Sequence, residues 1–190
     1  MRCSSANAAS HRSSGEFVFS EDRIRKAIRD IPDYPKPGIL FKDITPLLKE
    51  PALFAQCIDE LAVRLKGAKI DYVVGIESRG FIVGAALAMA MGKGFIPIRK
   101  KGKLPHDKVE ESYDLEYGSA TIEMHRDAIK KGQSVVIVDD VLATGGTAKA
   151  AIRLVEGVGG KVSALAFVIE LRKLNGRKSL KGESISLIEY

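Results

Sequence analysis

Four β-branched residues, Val135-Val136-Ile137-Val138, run straight into the carboxylate pair Asp139-Asp140 and then, through Val141-Leu142-Ala143, into Thr144-Gly145-Gly146-Thr147. An apolar run of this kind, bounded by loop signals, suits a strand covered on both faces. Ala148 to Val155 then reads as a helix. A strand that passes through a tight glycine loop into a helix aims backbone N–H groups and the positive helix end at one spot. That spot suits a phosphate. The two carboxylates stand at the carboxyl end of the strand, where open α/β sheets bind ligands. Beside a phosphate cradle they suit sugar hydroxyls or a magnesium-bound group. The segment therefore proposes a sugar-phosphate ligand.

The remaining punctuation extends the pattern. Ser20 is placed to cap a helix opening with Glu21-Asp22, and Ile24, Ala27, Ile28 and Ile31 give it one apolar face up to Pro32. Residues 32–46 carry Pro32, Pro35, Pro37, Gly38 and Pro46 and read as an ordered loop or short extended pieces. Pro51 opens a second helix, in which Leu53, Phe54, Cys57, Ile58, Leu61 and Leu65 recur at helical spacing until Gly67. Ile70 to Ile76 reads as a strand, followed by Glu77-Ser78-Arg79-Gly80 and an alanine-rich helix to Met91. Phe95 to Ile98 is a further strand, leading into Arg99-Lys100-Lys101-Gly102-Lys103. Ser112 to Met124 reads as a long hairpin around Tyr117-Gly118, and Val162 to Ile169 and Ser184 to Tyr190 as the last strands.

Strands alternating with helices define an α/β fold: an open, mainly parallel twisted sheet flanked by helices, with right-handed crossovers. The N-terminal part is expected as a hood, and the 100–125 region as a mobile loop or hairpin, over the ligand edge. Residues 20–190 form the single domain. Residues 1–19 are expected to be a disordered leader; Met1 to Gly15 is rich in Ser and Ala, holds Arg2 and Arg12 and has no acidic residue, which weakly resembles an organellar transit peptide.

At 190 residues, with 45% hydrophobic and 28% charged residues, the chain is long enough for one substantial core. Its net charge of +6 permits nucleic acid, a membrane surface or a small anion as partner. Lysine and arginine are spread along the chain, which favours a solvated surface with local anion sites over a nucleic-acid or membrane partner. The longest apolar stretch, Phe81 to Met91, is too short to span a bilayer. Cys3 and Cys57 make neither a disulfide framework nor a metal site, and Cys57 belongs to an apolar helix face, which fits a reducing, cytoplasmic setting.

Other chemistries are excluded by their motifs. No G-x-x-x-x-G-K-[ST] occurs, and Gly157-Val158-Gly159-Gly160 follows a helix rather than a strand. His11, His106 and His125 are widely separated, against a zinc site. Ser78 lacks the G-x-S-x-G elbow of a serine hydrolase.

What remains resembles the type I phosphoribosyltransferase family. Val135 to Thr147 is similar to its phosphoribosyl-pyrophosphate (PRPP) motif. Four further segments follow in the family's order: Pro37 to Ile44, Glu77 to Phe81, Ile98 to Pro105 and Ser112 to Gly118. Together they cover roughly residues 20 to 190. The Asp-Asp…Thr-Gly-Gly-Thr element marks only the superfamily; Leu115-Glu116-Tyr117-Gly118 and Pro37-Gly38-Ile39-Leu40-Phe41-Lys42-Asp43 point to the branch that uses adenine.

The resemblance implies a reaction of adenine with PRPP to give AMP and pyrophosphate, with Mg²⁺, in a homodimer. It implies that Ala143, Thr144, Gly145, Gly146 and Thr147 wrap the 5′-phosphate. Asp139 and Asp140 would meet the ribose hydroxyls, directly or through water on Mg²⁺, with no direct protein ligand to the metal. Glu77, Ser78 and Arg79 would hold pyrophosphate, with a cis peptide between the first two. Arg99 from the partner subunit, Lys100 and Lys103 would add charge there, while Lys101 and Lys108 read as a solvated face. Leu40, Phe41 and Lys42 would read the base. Glu116 would handle the base proton at N9 or bond N7.

Three departures stand out: Glu77 where the family often has Asp, Lys42 where some relatives have Arg, and His106-Asp107 in place of a glycine-containing sequence. Two other readings stay open. One is a different purine base. The other is a PRPP-sensing regulator without catalysis, which needs a DNA-binding domain or continuous basic face. For that the chain offers Arg172, Lys173, Arg177, Lys178 and Lys181 near its C-terminus.

Overall fold

The computed structural model describes residues 19–114 and 119–190. The elements run α1 (Glu21–Lys26), β1 (Arg29–Ile31), β2 (Phe41–Asp43), α2 (Thr45–Lys49), α3 (Pro51–Arg64), β3 (Tyr72–Ile76) and α4 (Arg79–Met91). They continue with β4 (Gly94–Lys100), β5 (Lys108–Asp114), β6 (Ser119–His125), β7 (Ser134–Leu142), α5 (Gly146–Gly157), β8 (Lys161–Glu170) and β9 (Glu183–Glu189). Among the described residues, seven strands form one sheet in the order β5-β6-β4-β3-β7-β8-β9. β4, β3, β7, β8 and β9 are parallel, whereas β5 and β6 are antiparallel at one edge.

Strand alternation sorts the core into two layers. Val136 and Val138 of β7 face Leu61, Leu65, Val83 and Leu87 of the α3–α4 side. Val135 and Ile137 face Ala151, Leu154 and Val155 of α5, together with Ile122 and Met124 of the hairpin. Both faces of β7 are thus covered, as its apolar run requires, and each such side chain removed from water contributes about 1.5–3 kcal/mol. Cys57 is buried in the first layer, and burial pushes its thiol up to about 12.

Several boundaries differ from the sequence reading. α1 ends at Lys26 rather than at Pro32, because residues 29–31 pair antiparallel with Phe41–Asp43 in a separate two-stranded ribbon. The proline-rich stretch also hides α2, where Pro46 sits in the first turn and its missing N–H costs nothing. β7 extends through the carboxylates to Leu142, since Asp139, Val141 and Leu142 pair with Phe167, Ile169 and Glu170 of β8. α5 accordingly starts at Gly146, two residues earlier than expected. The β8–β9 connection is parallel but carries only two short 3₁₀ turns, Arg172–Leu174 and Gly176–Ser179. No helix among the described residues is long and apolar enough to cross a membrane. Residues 1–18, which hold most of the expected leader, and Leu115 to Gly118 lie outside the described residues.

Candidate active site

Three of the loops expected to bind ligand, those after β3, β4 and β7, leave the carboxyl ends of parallel strands. After β7, the chain turns at Gly145 (φ 84°) and enters α5. A side chain at Gly145 is excluded twice: by the left-handed backbone and because a Cβ would lie 2.6 Å from the Ser179 hydroxyl. Asp139, Val141 to Ala148 and Phe167 line a cavity of about 70 Å³. One water needs about 10–15 Å³ on this kind of measure, so the cavity admits a group of several heavy atoms. The five predicted phosphate-loop residues, Ala143 to Thr147, are all in its wall.

After β3, the Glu77–Ser78 peptide is cis, as the resemblance implied, and α4 begins at Arg79. Gly80 lets the helix start lie directly on β7: a Cβ there would be 2.9 Å from Asp139 Oδ1 and from the Val138 carbonyl oxygen. Asp139 Oδ1 accepts the Asp140 backbone N–H at 2.9 Å. Burial, then the adjacent Asp140 charge, pushes the Asp139 carboxyl well above the usual carboxylate range. Asp140 is buried and paired with the Arg79 guanidinium through Nε and Oδ2. The same guanidinium lies 4.9 Å from the centroid of the Phe41 ring. Arg79 therefore joins the carboxylate pair after β7 to the Phe41 segment.

Phe41 packs edge-on against Tyr34 at 5.2 Å, and Leu40 beside it is 48% exposed. Lys42 departs from the expected base contact. In strand β2 its side chain leaves on the face opposite Phe41. Its ammonium pairs with Asp30 at 2.6 Å and lies 3.7 Å from the Tyr190 ring centroid.

Glu77 also takes a different part from the one expected. Its carboxylate accepts the Lys100 backbone N–H at 3.0 Å and the Arg99 guanidinium at 3.3 and 3.4 Å. Burial alone would raise this carboxyl, but Lys100 and Arg99 outweigh it and hold it low. Its carboxylate is thus committed to β4, within the same chain. Lys100 and Lys103 are exposed and form no ion pair among the described residues.

The solvated reading holds for Lys101, exposed and paired with Glu110, but not for Lys108. Lys108 Nζ lies 2.8 Å from Glu123, whose side chain is fully buried. Of the five C-terminal cations, two are spent on carboxylates, Arg177 on buried Glu170 and Arg172 on Glu189 at 2.5 Å, while Lys173, Lys178 and Lys181 are exposed.

Three supports of the site were absent from the sequence reading. Gly176 packs against the back of the phosphate loop, where a Cβ would be 2.1 Å from the Ala143 carbonyl oxygen. Glu170 holds the Gly176–Ser179 turn through Arg177 Nε, at 3.0 Å to each carboxylate oxygen. Arg153 of α5 pairs with Glu111 and donates to the Ser112 carbonyl at 3.3 Å, fastening the β5–β6 hairpin over α5. The Asn175-Gly176 turn signal was available to find the first. Glu116 lies outside the described residues, but Tyr113 and Asp114, just before it, stand beside Gly146.

A phosphate loop, a second helix-start loop and a carboxylate pair at one sheet edge define a protein that handles a phosphorylated sugar. Residues 44–186 match the phosphoribosyl transferase domain model, and the chain belongs to that family. Within it, the relatives are adenine phosphoribosyltransferases. The one from Carboxydothermus hydrogenoformans is 56% identical over 168 residues, covering 88% of this chain and 99% of the relative. The crystal structure of the Thermoanaerobacter pseudethanolicus enzyme superposes with a TM-score of 0.88 at 50% identity, over 90% of this chain and 100% of that one. The Saccharomyces cerevisiae enzyme, solved with adenine and an imino-altritol bisphosphate, gives 0.83 at 43% identity, over 88% and 97%.

Proposed function

We propose that this chain transfers the phosphoribosyl group of PRPP to adenine, releasing pyrophosphate and forming AMP, a purine-salvage reaction of the cytoplasm. The Arg79 bridge carries the residue-level reading. One guanidinium touches Asp140 on the ribose side and lies over Phe41 on the base side, so the two substrates would meet at its position. Holding the base in line with the anomeric carbon removes much of the entropic barrier, and no covalent nucleophile is needed.

In this reading the Ala143–Thr147 amides and the Thr144 and Thr147 hydroxyls hold the 5′-phosphate. Asp139 and Asp140 receive the ribose hydroxyls. The Ser78 and Arg79 region, with Lys100 and Lys103 and with Arg99 contributed by the second subunit, receives pyrophosphate. Leu40 and Phe41 contact adenine. Glu116 accepts or shares the base proton as positive charge develops on the ribose ring.

Mg²⁺ fits the donor set. Asp139, driven toward its neutral form by burial and then by the Asp140 charge, and Asp140, paired with Arg79, suit a cation held beside them through PRPP and water rather than by a direct protein ligand. Magnesium typically takes one or two carboxylates, with substrate phosphates and water completing its shell. When bound, it would neutralise leaving-group charge.

A homodimer belongs to the same proposal. After Arg79, α4 carries no charged residue, yet it exposes Ile82 at 47% and Met89 at 85%. An apolar helix face of this kind suits a second copy of the chain.

The deciding assay is AMP formation from adenine and PRPP, compared with hypoxanthine and guanine. Preference for adenine is expected; equal or greater turnover of either other base would overturn the assignment.

A further inference from the structure

The basic loop between β4 and β5 is held at three consecutive backbone points. The N–H groups of Gly102, Lys103 and Leu104 donate to the Glu123 carboxylate at 3.0, 2.7 and 2.6 Å. Successive N–H groups closing on one anion form a nest. Here the anion is a side chain of the protein itself, on β6, where Glu123 lies opposite Arg99 in the antiparallel register. The carboxylate is wholly removed from water, and Lys108 completes its shell. Burial alone would raise its pKa, but Lys108 and the three amides outweigh that and hold it at about 2. The loop is therefore organised around a carboxylate that is charged at neutral pH.

That organisation reaches the leaving-group side through hydrogen bonds. The Lys103 carbonyl, between two of the anchored amides, accepts from the Arg99 guanidinium at 3.0 Å. Arg99 continues to Glu77, and Glu77 accepts the Lys100 N–H. An unbroken path thus runs from Glu123 through the loop backbone and Arg99 to the cis peptide before α4.

We propose that Glu123 is a positioning residue for the pyrophosphate half of the site: it fixes the Gly102–Leu104 backbone so that Arg99 and Lys103 face the leaving group. The inference rests on the reading of Arg99 and Lys103 as pyrophosphate ligands. A carboxylate is required because each of its partners is a donor. An amide at this position turns an NH₂ group toward at least one N–H and leaves the Lys108 charge unpaired.

The test measures binding of PRPP and of AMP by calorimetry to the unaltered chain, Lys103→Met and Glu123→Gln. AMP shares the ribose 5-phosphate and lacks the pyrophosphate. For Glu123→Gln, PRPP binding is expected to weaken about 10-fold or more, a displacement effect of the size that small misplacements produce, with AMP affinity within about twofold. A variant loosened as a whole would lose both ligands together, and that result overturns the proposal. Weakened PRPP binding in Lys103→Met with unchanged binding in Glu123→Gln also overturns it and leaves the pyrophosphate reading standing. Unchanged PRPP binding in Lys103→Met overturns both. Should Glu123→Gln not fold, amide exchange in the unaltered chain decides. Protection of Gly102, Lys103 and Leu104 supports the anchor, and exchange at the unstructured rate refutes it.

Discussion

Replacing Gly176 by alanine tests whether the phosphate loop depends on what lies behind it. The added Cβ would sit 2.1 Å from the Ala143 carbonyl oxygen and 3.0 Å from the Ala143 carbonyl carbon and the Gly145 nitrogen. Ordinary contact begins near 3.4 Å, so the two segments must part by about 1 Å. All three contacts are backbone, and no flexible side chain is available to yield. Gly176 is not among the residues with positive φ, so the effect is steric rather than conformational. Overpacking of this kind costs about 1–3 kcal/mol. At about 2–4 °C per kcal/mol for a domain of this size, Tm should fall by roughly 2–12 °C.

The larger effect belongs to catalysis. Displacing Ala143 and Gly145 by about 1 Å moves the amides proposed to hold the 5′-phosphate, and a misplacement of that size costs on the order of 100-fold in rate. Steady-state kinetics should show kcat/KM for PRPP falling by about that factor, with the KM for adenine changed far less. Gly157→Ala is the matched control, because a Cβ there meets nothing within 4 Å and its backbone is not left-handed. Gly176→Ala kinetics equal to those of Gly157→Ala would refute the claim that this turn supports the loop.

Glu116→Gln should lower kcat far more than it weakens PRPP binding; equal turnover in stopped-flow or steady-state assays would remove Glu116 from the mechanism. Acid should destabilise the fold through Glu123 and Asp43, each held at about 2 against ordinary values of 4.5 and 3.8. For Asp43, burial acts upward, but the bonds from Thr45 and Arg29 prevail. Both folded values are depressed, so their contribution is complete above the unfolded values and is lost as pH falls toward 2. Urea midpoints should therefore be flat in this contribution above pH 5 and drop below about pH 4.5, and a midpoint unchanged at pH 3 would contradict the assignment. Met89→Lys on the exposed face of α4 should yield a monomer in sedimentation experiments; an unaltered dimer would move the interface elsewhere.

Much of the site was legible because it is written in backbone chemistry. Asp139 to Thr147 combines an apolar run, two carboxylates and a glycine turn, and these local constraints dictate strand, loop and helix start in order. The exchange of Asp for Glu at position 77 was also visible, but not its consequence. Only in the fold does the carboxylate reach Arg99 and the Lys100 N–H. Lys42 shows the same limit from the other side. Its neighbours are base-segment residues, yet pairing of β2 with β1 turns its side chain to Asp30 and Tyr190.

The sequence by itself determined the parallel α/β sheet, the family and the glycine loops at the carboxyl ends of β3 and β7, since each depends on residues adjacent along the chain. The tertiary structure alone decided which charges are spent on one another. Arg79 with Asp140, Lys108 with Glu123 and Arg177 with Glu170 are joined across 61, 15 and 7 positions, counted along the chain. The physical reason is that a buried charge must find its partner wherever the sheet register delivers one. Gly176 makes the same point without charge, because its role is the space it leaves for Ala143.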